Sequence, residues 1–255
     1  MSWRLVLVAV VVLASGCVGL IGESPDGTSV RDDTSSPPGI DGGIANATTL
    51  VRAHQRSFAG TGVVVETSRA RRSTVSGVGN QSTRTRTRAS ANGTLWQRRT
   101  VETIDGEQQA VLWHDGERGV RRFDDTGRTD TVNGPVGPTR RYQTADLRRW
   151  LATGEYGVVA VEAGEPTRYV LSATTYTPPD GDPLEADTVR YDARAVVTES
   201  GRVTGFTATL STVERNKWGR QAWTASYTYR VVRTGSVAVP RPEWTGDVPP
   251  EVRDG

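Results

Sequence analysis

The sequence predicts a mainly β protein, an antiparallel sheet of ten or eleven strands with one helix before it and a second inserted midway. Three observations lead there. Segments such as Ser82 to Ala91 and Val189 to Val197 alternate with period two, the spacing of a strand and not of a helix. Gly-containing pairs at Asp105-Gly106, Asp115-Gly116 and Thr126-Gly127 separate short β-branched runs, as hairpin turns do. Hydrophobic residues make up only 35% of the chain while Thr, Gly and Val abound, a balance that favours strands and turns over helices.

In chain order, Arg4 supplies a short positive region and Leu5 to Ala14 is an unbroken apolar run. Ala14, Ser15 and Gly16 then lead into Cys17, the one cysteine. Charge, apolar run, small residues and a cysteine make an export signal. The pattern resembles the lipobox lipoproteins of bacteria and haloarchaea. That resemblance implies a signal peptide over 1–16, cleavage between Gly16 and Cys17, and a diacylglycerol on the Cys17 thiol that anchors the protein to the cytoplasmic membrane, facing the extracellular side. Leu5 to Gly22 is also uncharged over 18 residues, enough for an uncleaved spanning helix, which stays open as the alternative. No Arg-Arg pair precedes the run, so the general secretory route is expected. With its one cysteine in the anchor, the mature chain has no disulfide.

Residues 17–43 read as the lipidated cysteine and a flexible tether of Gly, Ser, Asp and Pro, too poor in apolar surface to order itself. A single domain is expected over 44–255. Asn46 is placed to cap a helix from Ala47 to about Ala59, with Leu50, Ala53, Ser57 and Phe58 at helical spacing and Gly60 as the stop. Thr61 to Thr67 reads as the first strand. In the next, Arg84, Arg86 and Arg88 share one face and Thr83, Thr85 and Thr87 the other. The arginine row is read as a solvent-facing surface or a guarded edge, ahead of an anion site. Leu95 to Thr103, Gln108 to His114 and Arg118 to Phe123 continue an antiparallel meander. After a loop from Asn133 to Pro138, a second helix capped by Thr144 is expected, with Asp146 in its first turn, Leu147, Trp150 and Leu151 on one side and Gly154 as the stop.

Strands resume at Gly157 to Glu162 and Thr167 to Tyr176. Three further strands present Val189, Tyr191, Ala193, Ala195 and Val197, then Phe206, Ala208 and Leu210, then Trp223, Ala225, Tyr227, Tyr229 and Val231 on one face each. Adjacent, these make a curved sheet with one greasy side. The proline-rich tail from Pro240 is expected to pack through Trp244.

This element order, from Asn46 to about Trp244, resembles the LolA-like carriers and their mycobacterial relatives. The resemblance implies an open antiparallel half-barrel with helices in its mouth that holds a lipid. The function expected is therefore a non-enzymatic, membrane-anchored lipoprotein binding a lipid or other apolar ligand at Phe206, Trp223, Tyr227 and Tyr229. A cell-envelope structural or protein-interaction module without a small ligand is the alternative, since apolar sheet faces are ordinarily core.

Charge and motifs narrow the field. Arginine outnumbers lysine thirty to one, Lys217 being the exception, which points to a GC-rich genome of haloarchaeal or actinobacterial type. Net charge is +2, with the surplus in residues 51–150, and nucleic acid is not expected as a partner of an exported protein. His54 and His114 lack metal-ligand spacing and are read as ordinary surface or half-buried residues. Asp124-Asp125 and Asp180-Gly181-Asp182 are read as turns. No serine elbow, phosphate loop or dinucleotide fingerprint occurs, so neither a catalytic residue nor a metal or cofactor is assigned. Asn46, Asn80 and Asn92 head glycosylation sequons.

Overall fold

A computed structural model describes residues 36–74, 79–178, 188–216 and 219–247. Gly16, Cys17 and the apolar run before them, Asp180, Asp182 and Lys217 lie outside the described residues. The chain divides into Met1–Thr34 and Ser35–Gly255, and every described residue belongs to the second unit.

Helix α1 (Ala47–Arg56) comes first, its end satisfied by Asn46 as expected, whose Oδ1 accepts from the Thr49 N–H at 2.8 Å. Six strands follow in a meander: β1 (Gly62–Ser73), β2 (Gln81–Ala89), β3 (Leu95–Thr103), β4 (Gly106–His114), β5 (Arg118–Phe123) and β6 (Thr129–Asn133). Helices α2 (Pro138–Arg141) and α3 (Thr144–Leu151) lead to β7 (Gly157–Glu162), β8 (Arg168–Ala173), β9 (Thr188–Thr198), β10 (Val203–Asn216) and β11 (Gly219–Gly235).

All eleven strands form one open antiparallel sheet in the order β6-β5-β4-β3-β2-β1-β11-β10-β9-β8-β7. The fold class expected is therefore the one observed. The order has a consequence for function. Because β6 and β7 are the two edges, the connection between them must cross the sheet, and it carries α2 and α3 over the face on which α1 also lies. Both α1 and α3 bury one side against that face, through Leu50 and Val51 of the first and Leu147 and Leu151 of the second.

Several expectations change in detail. Thr144 does not cap α3. Its hydroxyl accepts from Gln55 Nε2 of α1 at 2.7 Å, and Gln143, at φ 55°, takes the cap position instead. The hydroxyl a cap would direct at its own helix is spent joining the two helices. Residues 36–43, expected to belong to the tether, pack against the domain instead: Ile40 is buried in the core and pairs with Ile44, and the Gly42 carbonyl accepts from Val158 N at 2.9 Å. Strand β1 runs six residues past Thr67, paired with β2 and β11. Strand β2 is interior, so its arginines guard no edge. In the tail Glu243–Asp247 forms one 3-10 turn, where Arg241 Nε donates to Thr245 Oγ1 at 2.8 Å and the Arg241 guanidinium lies over Trp113.

Candidate functional site: the cleft under α3

Register decides which side chains share the helix face. Directly paired residues of neighbouring antiparallel strands point the same way. One such row reads Val101, Thr83, Arg69, Tyr227, Ala208, Ala193 and Ala173 across β3, β2, β1, β11, β10, β9 and β8. Through β2 and β1 it carries Thr83 and Arg69, and it is apolar from β11 onward. The next row repeats the change, with Arg71 of β1 facing Ala225, Leu210 and Tyr191. A seam between polar and apolar surface thus runs along the β1/β11 junction, and α3 lies over it.

Two adjoining cavities open there, of about 470 and 340 Å³, and both are lined by Arg69, Thr83 and Asp146. The larger adds Arg71 and Arg149 on one side and Trp150, Tyr176, Leu210 and Ala225 on the other. The smaller adds Arg99, Arg140 and Tyr227. Arg69 reaches Asp146 of α3 at 3.7 Å, an exposed pair that spans the seam. The hydroxyls of Thr83 and Tyr227 are buried and have no hydrogen-bond partner among the described residues. Buried polar atoms are ordinarily paired, so two orphans lining one cleft mark it as a place where a partner belongs.

The roof of the cleft is built stiffly. Trp150 lies parallel to both Tyr191 and Tyr227, with ring centroids 6.4 and 6.1 Å away. Its carbonyl, in the last turn of the helix, accepts from Thr153 N at 3.1 Å and also from Tyr156 OH at 3.0 Å, and Tyr156 in turn bonds Tyr191 OH at 2.9 Å. Burial raises both phenols, Tyr191 to about 12, and raises Tyr227 as well, with the Asp146 carboxylate adding to it. These hydroxyls stay protonated and serve as neutral donors. Gly154 is required nearby, since a Cβ there would meet Tyr191 Cε1 at 2.6 Å.

The four aromatic residues expected to bind a ligand separate. Tyr227 lines the smaller cavity, and Trp223 lies under the Arg71 guanidinium at 4.3 Å, next to the larger one. Phe206 and Tyr229 line neither and sit in the core, Phe206 against Tyr156 and Tyr227 and Tyr229 against His54 of α1. There Tyr229 belongs to a buried relay. His54 Nδ1 accepts from Val203 N at 3.0 Å, so the neutral ring carries its proton on Nε2 and donates to Tyr229 OH at 2.7 Å. Tyr229 OH then donates to the Tyr142 carbonyl at 3.2 Å. Burial, helped by Arg202, lowers the His54 pKa to about 3. Both histidines are fully buried, against the expectation of surface or half-buried roles, because each ring nitrogen Nδ1 serves a backbone N–H; for His114 that is Gly116 N at 3.0 Å.

The remaining candidates have local roles. Asp124-Asp125 lies in the turn before β6, where Asp125 accepts from Thr126 N at 2.9 Å. Asn46, Asn80 and Asn92 are exposed, and Asn80 Oδ1 accepts from Ser73 N at 2.7 Å, so their side chains are available at the surface while holding turns and caps. The arginines of β2 point outward. Arg86 and, from β11, Arg230 pair with Glu66 at 3.5 and 2.7 Å, and Arg88 lies over Trp96. No group of three metal-binding side chains occurs among the described residues.

The cleft arginines were the residues that sequence reading missed. Ending β1 at Thr67 left Arg69 and Arg71 off the strand. Continuing the alternation Thr67, Arg69, Arg71, Ser73 would have put them on the face of Thr83 and Thr85.

No family model and no curated protein matches this chain. Among solved structures it is similar to a DUF1329 family protein from Desulfovibrio piger (9% identity, 76% of this chain and 94% of that one, TM-score 0.27). It is also similar to a LolA superfamily protein from Nitrosomonas europaea (11%, 76% and 94%, 0.25). A chain of the MucA/MucB complex of Pseudomonas aeruginosa matches at 9%, over 76% of this chain and 99% of that one, with a TM-score of 0.25. Likenesses at such identities and scores say nothing of what the cleft holds.

Proposed function

We propose that this chain is an extracytoplasmic lipoprotein, tethered through Cys17, whose cleft under α3 holds a lipid or other ligand with an apolar part and does no chemistry on it. One observation carries the binding half of this reading. Two buried hydroxyls without a partner among the described residues face a cleft whose larger cavity, about 470 Å³, falls within the roughly 300 to 1,000 Å³ of small-molecule sites and has Trp150, Leu210 and Ala225 on one side. The anchoring half is supported by the apolar run and small residues before Cys17.

The binding half is tested by titrating purified, detergent-free protein with the neutral apolar fluorophore N-phenyl-1-naphthylamine. Saturable one-to-one uptake, weakened about tenfold or more in Trp150→Ala, is the expected result, since one buried aromatic contact of this size exceeds about 1.4 kcal/mol. Folded protein that takes up no probe and shows a bare polypeptide mass in native mass spectrometry overturns it. For the anchor, Cys17→Ser is expected to abolish the mature membrane-bound form; unchanged membrane retention with the apolar run still attached would establish the uncleaved alternative.

A further inference from the structure

We infer that the cleft selects amphiphiles whose head is an anion, a phosphate or a carboxylate, set against β1 to β3 while the tail lies along β10, β11 and α3. The inference rests on the binding function proposed above and names the ligand class. Its basis is the seam. At the level of α3 the helix face changes from Arg69, Arg71, Thr83 and Arg99 to Leu210, Ala225 and Tyr227 within one strand spacing. A purely apolar ligand would leave the first set without partners, and a free anion would leave the second set wet.

Charge fixes the sign of the head. Five arginines line the two cavities against one carboxylate, Asp146, which is already engaged by Arg69. Arg99, Arg140 and Arg149 make no ion pair among the described residues. Crowding is felt at Arg140, whose pKa is lowered by burial and by Arg121, a strain that an arriving anion relieves. The hydroxyls of Thr83 and Tyr227 can each donate to an oxyanion, and both are buried with nothing else to bond among the described residues. Guanidinium groups and neutral hydroxyl donors around an oxygen-rich head give charge-assisted hydrogen bonds, about twice as strong as neutral ones. Stacked Trp150 and Tyr227 and half-buried Leu210 suit a saturated chain.

The test is equilibrium binding of dodecyl phosphate, dodecanol and inorganic phosphate to the purified protein, all below micellar concentrations, with the variant Arg99→Gln/Arg140→Gln alongside. Dodecyl phosphate is expected to bind at least about tenfold tighter than dodecanol and about a hundredfold tighter than inorganic phosphate. The double variant should lose most of the preference for phosphate over alcohol. An unchanged far-UV circular dichroism spectrum and thermal unfolding midpoint report that the variant is folded. Equal affinity for dodecyl phosphate and dodecanol overturns the inference and leaves the binding function standing. Inorganic phosphate binding as tightly as dodecyl phosphate reduces the cleft to a free-anion site and overturns it too. A preference that survives in the double variant places the head elsewhere and overturns the assignment to this cleft. Folded protein that binds none of the three overturns both readings.

Discussion

Helices α1 and α3 lie on the same face of the same sheet, yet one seals it and the other leaves a cleft. Under α1 the sheet presents Tyr229, and the polar atoms that must be buried are paired end to end, from Val203 N through His54 and Tyr229 to the Tyr142 carbonyl. The tip of the β9–β10 hairpin closes in as well: Gly201, at φ +80°, lies so near α1 that a Cβ would sit 2.7 Å from Ala53 Cβ. Under α3 the strands present arginine and threonine beside leucine and alanine, and two hydroxyls go unpaired among the described residues. The helices are alike in being short and one-sided. What the strands offer beneath them decides whether a lid becomes core or a binding site.

The comparison can be broken most severely at Leu50, fully buried under α1. Leu50→Ala should cost about 2 to 5 kcal/mol in denaturant unfolding, against less than about 0.5 for Arg149→Gln at the cleft. If both cost the same, the two ends do not differ as described.

Acid comes next. His54 binds a proton near pH 6.5 in the unfolded chain but only near 3 when folded, so its contribution is complete above 6.5 and is lost as pH falls toward 3. Wild type should lose about 1.4 kcal/mol more stability per pH unit across that window than His54→Gln, measured as the difference between the two titrations. Parallel curves would show that His54 is not held neutral.

Two tyrosines two residues apart on β11 sharpen the contrast further. Tyr229→Phe strands the His54 Nε2 proton and should cost about 1 to 3 kcal/mol, whereas Tyr227→Phe removes a hydroxyl without a partner among the described residues and should be neutral to slightly stabilising in the ligand-free protein. Equal costs would mean Tyr227 OH is already satisfied. A small effect is also expected at Asp146→Asn, which breaks an exposed pair worth about 0 to 1 kcal/mol in denaturant unfolding.

Much of the fold was legible residue by residue. The limits of β3, β5 and β7 match the runs of Leu95 to Thr103, Arg118 to Phe123 and Gly157 to Glu162, because strand and turn signals are local. Asn46 read as a cap because a side-chain amide next to an apolar stripe has that use. Less of the site could be read. Tyr227 and Tyr229 lie on the same strand and the same face, and only the helices above them differ. Tyr229 meets His54 of α1, while Tyr227 meets Trp150 and open space. Thr83 looked like any inward threonine until the pairing of β2 with β1 set it beside Arg69.

By itself the sequence determined which residues share a face and where each strand turns, since side-chain alternation and glycine's access to positive φ are properties of neighbouring residues. Tertiary structure decided what those faces meet. Strands β1 and β11 come from opposite ends of the domain, and their pairing set arginines against leucine and alanine. The crossing from edge to edge then laid α3 over that boundary. No local pattern encodes either, because long-range pairing is chosen by the burial of the whole sheet, and the cleft exists only where that choice leaves polar and apolar rows side by side.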